Sequence, residues 1–258
     1  MAARGTVCLM YHEIALPGRE LCDSDPGYAK YAVNLKNFRE QMQWLKDSGN
    51  AGINISHMLS NPANGVALTF DDGCETDLIT AAPILKEFGF HATFYITVGF
   101  LGKRGFMSKQ QARELAQTGM EVGCHSLTHP FLSDLDETGL RREIADAKRQ
   151  LEDITGASIR HYSCPGGRWD ERVARVALQA GYESVATSAI GLNTPATDRY
   201  SLSRIAITGQ VTTAEFAAIC SGSGLWTKGI KSRGLQIAKR MLGNAAYTRV
   251  RSVLLRDS

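Results

Sequence analysis

The chain has 258 residues, 43% of them hydrophobic and 21% charged, with a formal net charge of +3. That length and apolar content suit one large core, or at most two small domains. So mild a basic excess is no footprint for nucleic acid, and with no repeat period or low-complexity tract a solenoid is excluded.

In chain order, the first element is TVCLMY (6–11), an apolar run of strand length that leads into His12. It is too short for the apolar region of a secretory signal, and no later window approaches the roughly 18 uninterrupted apolar residues of a membrane span. A cytoplasmic location is therefore expected. Six more short apolar runs follow as strands: VALTF (66–70), ATFYITV (92–98), MEVGCHS (120–126), HYSC (161–164), SVATS (184–188) and SRIAIT (203–208). Helical periodicity fills the intervals at 38–45, 79–88, 109–116 and 171–180. Leu140, Ile144, Ala147, Leu151 and Ile154 also share one helical face, with Asp136 placed to cap its start. Gly49, Gly89, Gly119, Gly156 and Gly181 stand where helices should end.

Strands alternating with helices imply an α/β fold with a mostly parallel sheet, and about seven such units suit a (β/α) barrel better than a small open sheet. In such barrels chemistry gathers at the C-terminal strand ends, where Asp71, Asp72, His125 and Pro165 fall. Past Gly224 the composition turns basic, with Lys228, Lys231, Arg233, Lys239 and Arg240 among apolar residues. We therefore expect a barrel over 1–224 and a basic, partly helical tail over 225–258. Such a tail suits peripheral contact with an anionic membrane or a partner, or a solvated helix against the barrel. The six cysteines show no C-x-x-C pair, which argues against a zinc ribbon or a disulfide scaffold; Cys74, Cys124 and Cys164 read as packing residues beside a site.

Two motifs carry chemistry. VALTFDDG drives a strand into two adjacent carboxylates, Asp71 and Asp72, whose repulsion costs free energy unless a positive charge or a proton intervenes. GCHSLTHP sets His125 and His129 four residues apart, a spacing that on a helical turn puts both imidazoles on one face. Two imidazoles and one carboxylate make a three-ligand metal site with positions left open. The second aspartate is then free to take a proton from water whose pKa the cation has lowered. Glu75 and Asp77 read as solvent-facing or helix-capping, and His57, His91 and His161 as structural.

TFDD (69–72), HSLTH (125–129) and YSCPGG (162–167) together resemble three successive motifs of the polysaccharide deacetylases, carbohydrate esterase family four. The likeness runs from about Met10 to Gly222. The resemblance implies a distorted barrel and a divalent metal, zinc first among the candidates. It also implies removal of N-acetyl, less readily O-acetyl, groups from a carbohydrate substrate. By position, Asp71 matches the base, Asp72, His125 and His129 the metal ligands, and the Gly166 N–H the donor to the oxyanion. The family's arginine in the third motif is replaced by Ser163, and its late Leu-x-His acid motif is missing. Arg168 or Arg204 could replace the arginine. His12, in a Tyr-His pair like that of the poly-N-acetylglucosamine branch, is the expected acid. Trp169 and Arg168 are the candidates for substrate contact, Trp169 through its ring face or else as an ordinary half-buried tryptophan.

Two other readings compete with that of a metal-dependent carbohydrate deacetylase. A carbohydrate-binding pseudoenzyme of the same fold would explain the missing arginine and late histidine. A non-haem iron oxygenase would use two histidines and a carboxylate, but it leaves the second aspartate without a task.

Overall fold

A computed structural model describes residues 5–61 and 65–223. The basic tail 225–258, and with it the boundary near Gly224 and the membrane contact, lies outside the described residues. Ten strands form: β1 (Cys8–Tyr11), β2 (Ile14–Ala15), β3 (Val33–Asn34), β4 (Gly52–Ile53), β5 (Val66–Phe70), β6 (Thr93–Ile96), β7 (Glu121–Cys124), β8 (His161–Ser163), β9 (Ser184–Ala186) and β10 (Ile205–Ala206). All seven apolar runs of the sequence are strands. β5 is buried at every residue, as a parallel strand covered on both faces must be.

The large sheet runs β10-β1-β5-β6-β7-β8-β9, parallel throughout, with β4 also paired to β5. A parallel bridge from Ala186 to Leu202 joins the end of β9 to the chain entering β10, so the seven strands curl into a distorted ring. β2 and β3 form a separate parallel pair. Because every ring strand is parallel, all C-terminal ends open on one rim. Asp71 and Asp72 follow β5, His125 follows β7 and Pro165 follows β8, and the first sheet strand delivers His12 there too.

Helices start where a side chain satisfies free N–H groups. Asn34 accepts from Asn37 N ahead of helix Leu35–Asp47, Asp136 accepts from Gly139 N, and Ser108 forms a capping box with Gln111. The five predicted terminal glycines all take positive φ, from 69° to 86°. Two helices contain a π-turn, at Asp77–Ala81 and Arg142–Asp146. The wider turn shifts the helix face and brings an acid inward each time: Asp77 and Glu143 are buried. Asp77 therefore departs from the solvent-facing or capping role expected of it.

Beneath the rim, Tyr11, Phe70 and Phe94 stack across β1, β5 and β6 with ring centroids 5.2 and 4.6 Å apart, and Phe38 meets the first two edge-on. Burying each such ring contributes about 1.5–3 kcal/mol. That packing fixes the strand ends from which Asp71 and Asp72 project.

Candidate active site

The chain makes an unusual sacrifice of backbone comfort at the rim. Among the described residues, three non-glycine residues have positive φ: Asp72 (80°), Ser126 (74°) and His129 (67°). Left-handed backbone in non-glycine residues is disfavoured and concentrates at functional sites. The His125–His129 spacing is thus closed by a short looped turn directly after β7, as expected where Pro130 stops a helix from continuing. Several bonds hold this loop. Ser126 Oγ accepts from His129 N at 2.9 Å, and Thr97 Oγ1 donates to His125 O at 3.0 Å. The inward-turned Glu143 accepts from the N–H groups of Leu127 and Thr128 at 2.9 and 2.8 Å, and from Thr128 Oγ1 at 2.7 Å. Glu143 went unremarked in the sequence because only the π-turn aims it inward.

One ligand atom each from Asp72, His125 and His129 lies within 4.8 Å of the others. Asp72 Oδ1 is buried and makes no hydrogen bond, while His125 Nε2 and His129 Nε2 stand 3.5 and 3.4 Å from it. His125 Nδ1 lies 2.9 Å from Ser163 O, which fixes the proton on Nδ1 and leaves the Nε2 lone pair facing Asp72. Burial pushes the His125 imidazole down to about 3 and also lowers His129, so both rings are neutral donors at physiological pH. Burial lifts the Asp72 carboxyl to about 6 against the pull of His12. An orphaned buried oxygen facing two neutral imidazole nitrogens fits a divalent cation.

Asp71 is held differently. Arg204, fully buried on the approach to β10, grips both its oxygens, Nη1 to Oδ1 at 2.7 Å and Nη2 to Oδ2 at 2.8 Å. The same guanidinium donates to Thr69 Oγ1 at 3.1 Å, to Ser163 Oγ at 2.6 Å and to Thr187 O at 3.0 Å. Ser163 Oγ in turn donates to Asp71 Oδ2 at 3.2 Å. Burial would raise the Asp71 carboxyl, but the charge and hydrogen bonds of Arg204 hold it well below the usual carboxylate range. Arg204 thus takes the place of the arginine missing at Ser163, and Ser163 completes the clamp with a hydroxyl. Arg168 lies elsewhere, its guanidinium over the Phe131 ring at 4.9 Å.

His12 is half-buried, its ring 4.9 Å from Tyr31, and its Nδ1 is buried without a hydrogen-bond partner. It follows Tyr11, which pairs with Phe70 across β1 and β5, so it shares the rim with Asp71 and Asp72. Gly166 is exposed with φ 58°, and a Cβ there would come within 2.8 Å of Phe131 Cε1. Phe131 is 44% exposed and lies two residues beyond His129, beside Gly166 and under Arg168. It escaped the sequence reading, which singled out Trp169. Trp169 instead packs half-buried against the core, its Nε1 buried without a partner. His161 lies in a separate buried network with Ser56 and Ser184, in keeping with a structural role.

The sequence model of the polysaccharide deacetylase family matches residues 59–185. YxkH of Bacillus subtilis, whose name sets it among polysaccharide deacetylases, is 27% identical over 217 residues, 81% of this chain and 74% of that protein. A chitooligosaccharide deacetylase of Rhizobium leguminosarum is 32% identical over 123 residues; that alignment covers 46% of this chain and about half, 51%, of the relative. The solved Streptococcus pyogenes deacetylase PplD, in complex with acetate, superposes with a TM-score of 0.73 at 26% identity, covering 85% of this chain and 99% of that one. Motifs and ring topology agree with these matches, and residues 59–185 of the chain form a polysaccharide deacetylase domain.

Proposed function

We propose that this protein hydrolyses the N-acetyl groups of an aminosugar-containing carbohydrate at the rim formed by Asp71, Asp72, His125, His129 and His12. The observation that carries the reading is the convergence of Asp72 with two neutral imidazoles beside a separately clamped, ionised Asp71. Asp72, His125 and His129 would hold a divalent cation, zinc by the nitrogen-rich donor set, which supplies Lewis acidity towards water and a carbonyl oxygen.

The chain's own residues do the rest. Asp71 accepts a proton as water adds to the acetyl carbonyl. Arg204 and Ser163 keep it ionised and aim its oxygens. The exposed Gly166 N–H donates to the oxygen that gains negative charge, a role suited to a turn with no Cβ in the way. His12, protonated, gives its proton to the departing nitrogen, because an amide nitrogen leaves poorly as an anion. The C–N bond then breaks to acetate and a free amine, and Asp71 and His12 return to their starting protonation through solvent. The exposed Phe131 ring, capped by Arg168, offers an apolar platform for a pyranose face.

PplD was solved with acetate, the acid released by such a reaction, and a chitooligosaccharide deacetylase is among the relatives. Arg204 also removes the main support for a pseudoenzyme, since the base is braced after all. The test is acetate release from N-acetylglucosamine oligomers with added zinc, comparing the wild type with Asp71→Asn. Turnover abolished by the substitution supports the reading. No release by the wild type across N-acetylated and O-acetylated substrates sinks it.

A further inference from the structure

Behind the Asp72 turn lies a second cluster that the reaction above does not use. Glu13, Cys22 and Cys74 each bring one ligand atom within 4.8 Å of the other two. Glu13 and Cys74 are buried, and Cys22 is half-buried. Three chain segments meet there by construction. Glu13 Oε2 accepts from Cys22 N at 2.9 Å, and Cys22 Sγ donates to Gly105 O at 2.9 Å. Gly105 has φ 86°, and a Cβ on it would come within 2.8 Å of Cys22 Cα, so glycine is what lets the Cys22 loop approach. Tyr28 Oη lies 3.0 Å from Cys74 Sγ.

A fourth group points to an occupant. Asp77 is completely buried, and neither of its carboxylate oxygens has a hydrogen-bond partner. The turn that bonds Asp77 N to Cys74 O at 3.0 Å sets it beside the cluster, and Cys22, Asp72, Glu13 and Asp71 are the groups whose charge acts on it most. All four are acids. A buried carboxylate among acids, with no donor, is among the costliest arrangements a fold can hold unless a cation or proton joins it. Two sulfurs and the Glu13 carboxylate are three donors for a soft divalent ion, with Asp77 beside them as a further negative group, and thiolates select for zinc over magnesium or calcium.

We propose that Glu13, Cys22 and Cys74, with the buried Asp77 as a neighbouring counter-charge, form a second cation site, of the zinc class, that buttresses the turn carrying Asp72. It differs from the rim site in containing sulfur, so the two can be told apart whatever becomes of the catalytic reading. The alternative occupant of the thiol pair is a Cys22–Cys74 disulfide, which leaves the carboxylates unserved.

The experiment is a cobalt titration of the full chain, purified with chelator and reductant and followed by absorption and bound-metal analysis. We expect the near-ultraviolet thiolate-to-cobalt absorption to appear. Cys22→Ser, half-buried and tolerant, and Cys74→Ser should each abolish it and lower the bound cobalt by one ion per chain. His129→Ala should keep it while losing the rim ion. Asp77→Asn should weaken the sulfur-site ion by about tenfold or more. Absence of that absorption from the reduced wild type at saturating cobalt, or its persistence in both cysteine variants, overturns the proposal. So does a Cys22–Cys74 disulfide in a chain that, once reduced, takes up no cobalt through sulfur.

Discussion

The two ends of the same strands carry buried acid–histidine networks of opposite character. At the N-terminal end Glu121 opens β7, Thr93 opens β6, His161 opens β8 and Ser184 opens β9. There Glu121 accepts from Thr93 Oγ1 at 2.5 Å and from the Ser56 hydroxyl and backbone N–H, and His161 bridges Ser56 and Ser184 at 2.8 and 2.9 Å. Burial would raise Glu121, but these donors, His161 foremost, bring it down to about 2. At the C-terminal end Asp72 keeps an orphaned oxygen, and burial lifts it to about 6. A closed network spends its lone pairs on the fold, whereas an open one holds them for something outside the chain. β7 shows both within a few residues, from structural Glu121 to His125.

That contrast can be broken or sharpened by experiment. The largest effect expected is on turnover: Asp71→Asn should lower kcat about 10²–10⁴-fold, and because it leaves the buried Arg204 guanidinium without its counter-charge it should lower the melting temperature as well. Arg204→Met strips a fully buried carboxylate of its partner, so chemical denaturation should show a loss of about 3–5 kcal/mol, and activity should fall with it. At the opposite end, Glu121→Gln should cost about 1–3 kcal/mol of stability yet leave kcat within error, because nothing there faces substrate. A rim-like collapse of turnover in that variant would erase the distinction between the two ends.

Metal linkage separates them further. Zinc at a hundredfold its dissociation constant should stabilise the wild type by about 2.7 kcal/mol through the rim site. His129→Ala should lose most of that rim contribution, and Glu121→Gln should keep it, as calorimetry with and without chelator would show. The pH dependence of the Arg204–Asp71 clamp has a definite sign. Asp71 is depressed in the fold, so its contribution is fully present above the unfolded value of about 3.9 and is lost only as pH falls through the lower folded value. In Arg204→Met burial raises the unbraced Asp71 instead, so the stability gap between wild type and variant should be widest at high pH and narrow steadily as pH falls through the variant's raised value towards the wild type's depressed one. Smallest of all, Gly166→Ala should cost about 1–2 kcal/mol through its left-handed backbone while crowding Phe131.

Legibility in the sequence divided along the same line as local and distant information. The seven ring strands, the terminal glycines and the convergence of Asp72, His125 and His129 were readable because apolar runs, helix stops and short motifs are written in neighbouring residues. Arg204 was only one of two candidates. It reaches Asp71 across 133 residues, and no spacing rule records which arginine a closing strand will deliver. Asp77 and Glu143 were misjudged or passed over because a π-turn, which periodicity does not announce, rotates them inward. Phe131 outranked Trp169 as the exposed ring because exposure depends on how the loops settle against one another.

The position of Arg204 also sets a schedule for the emerging chain. The converging Asp72, His125 and His129 are all made by residue 129, yet the counter-charge that tames Asp71 arrives some seventy-five residues later, at the strand that seals the ring. A nascent or truncated product ending short of β10 would bring the three side chains together beside an unbraced Asp71. If the proposed reaction holds, competence comes last, coupled to completion of the barrel, and partly made copies stay silent.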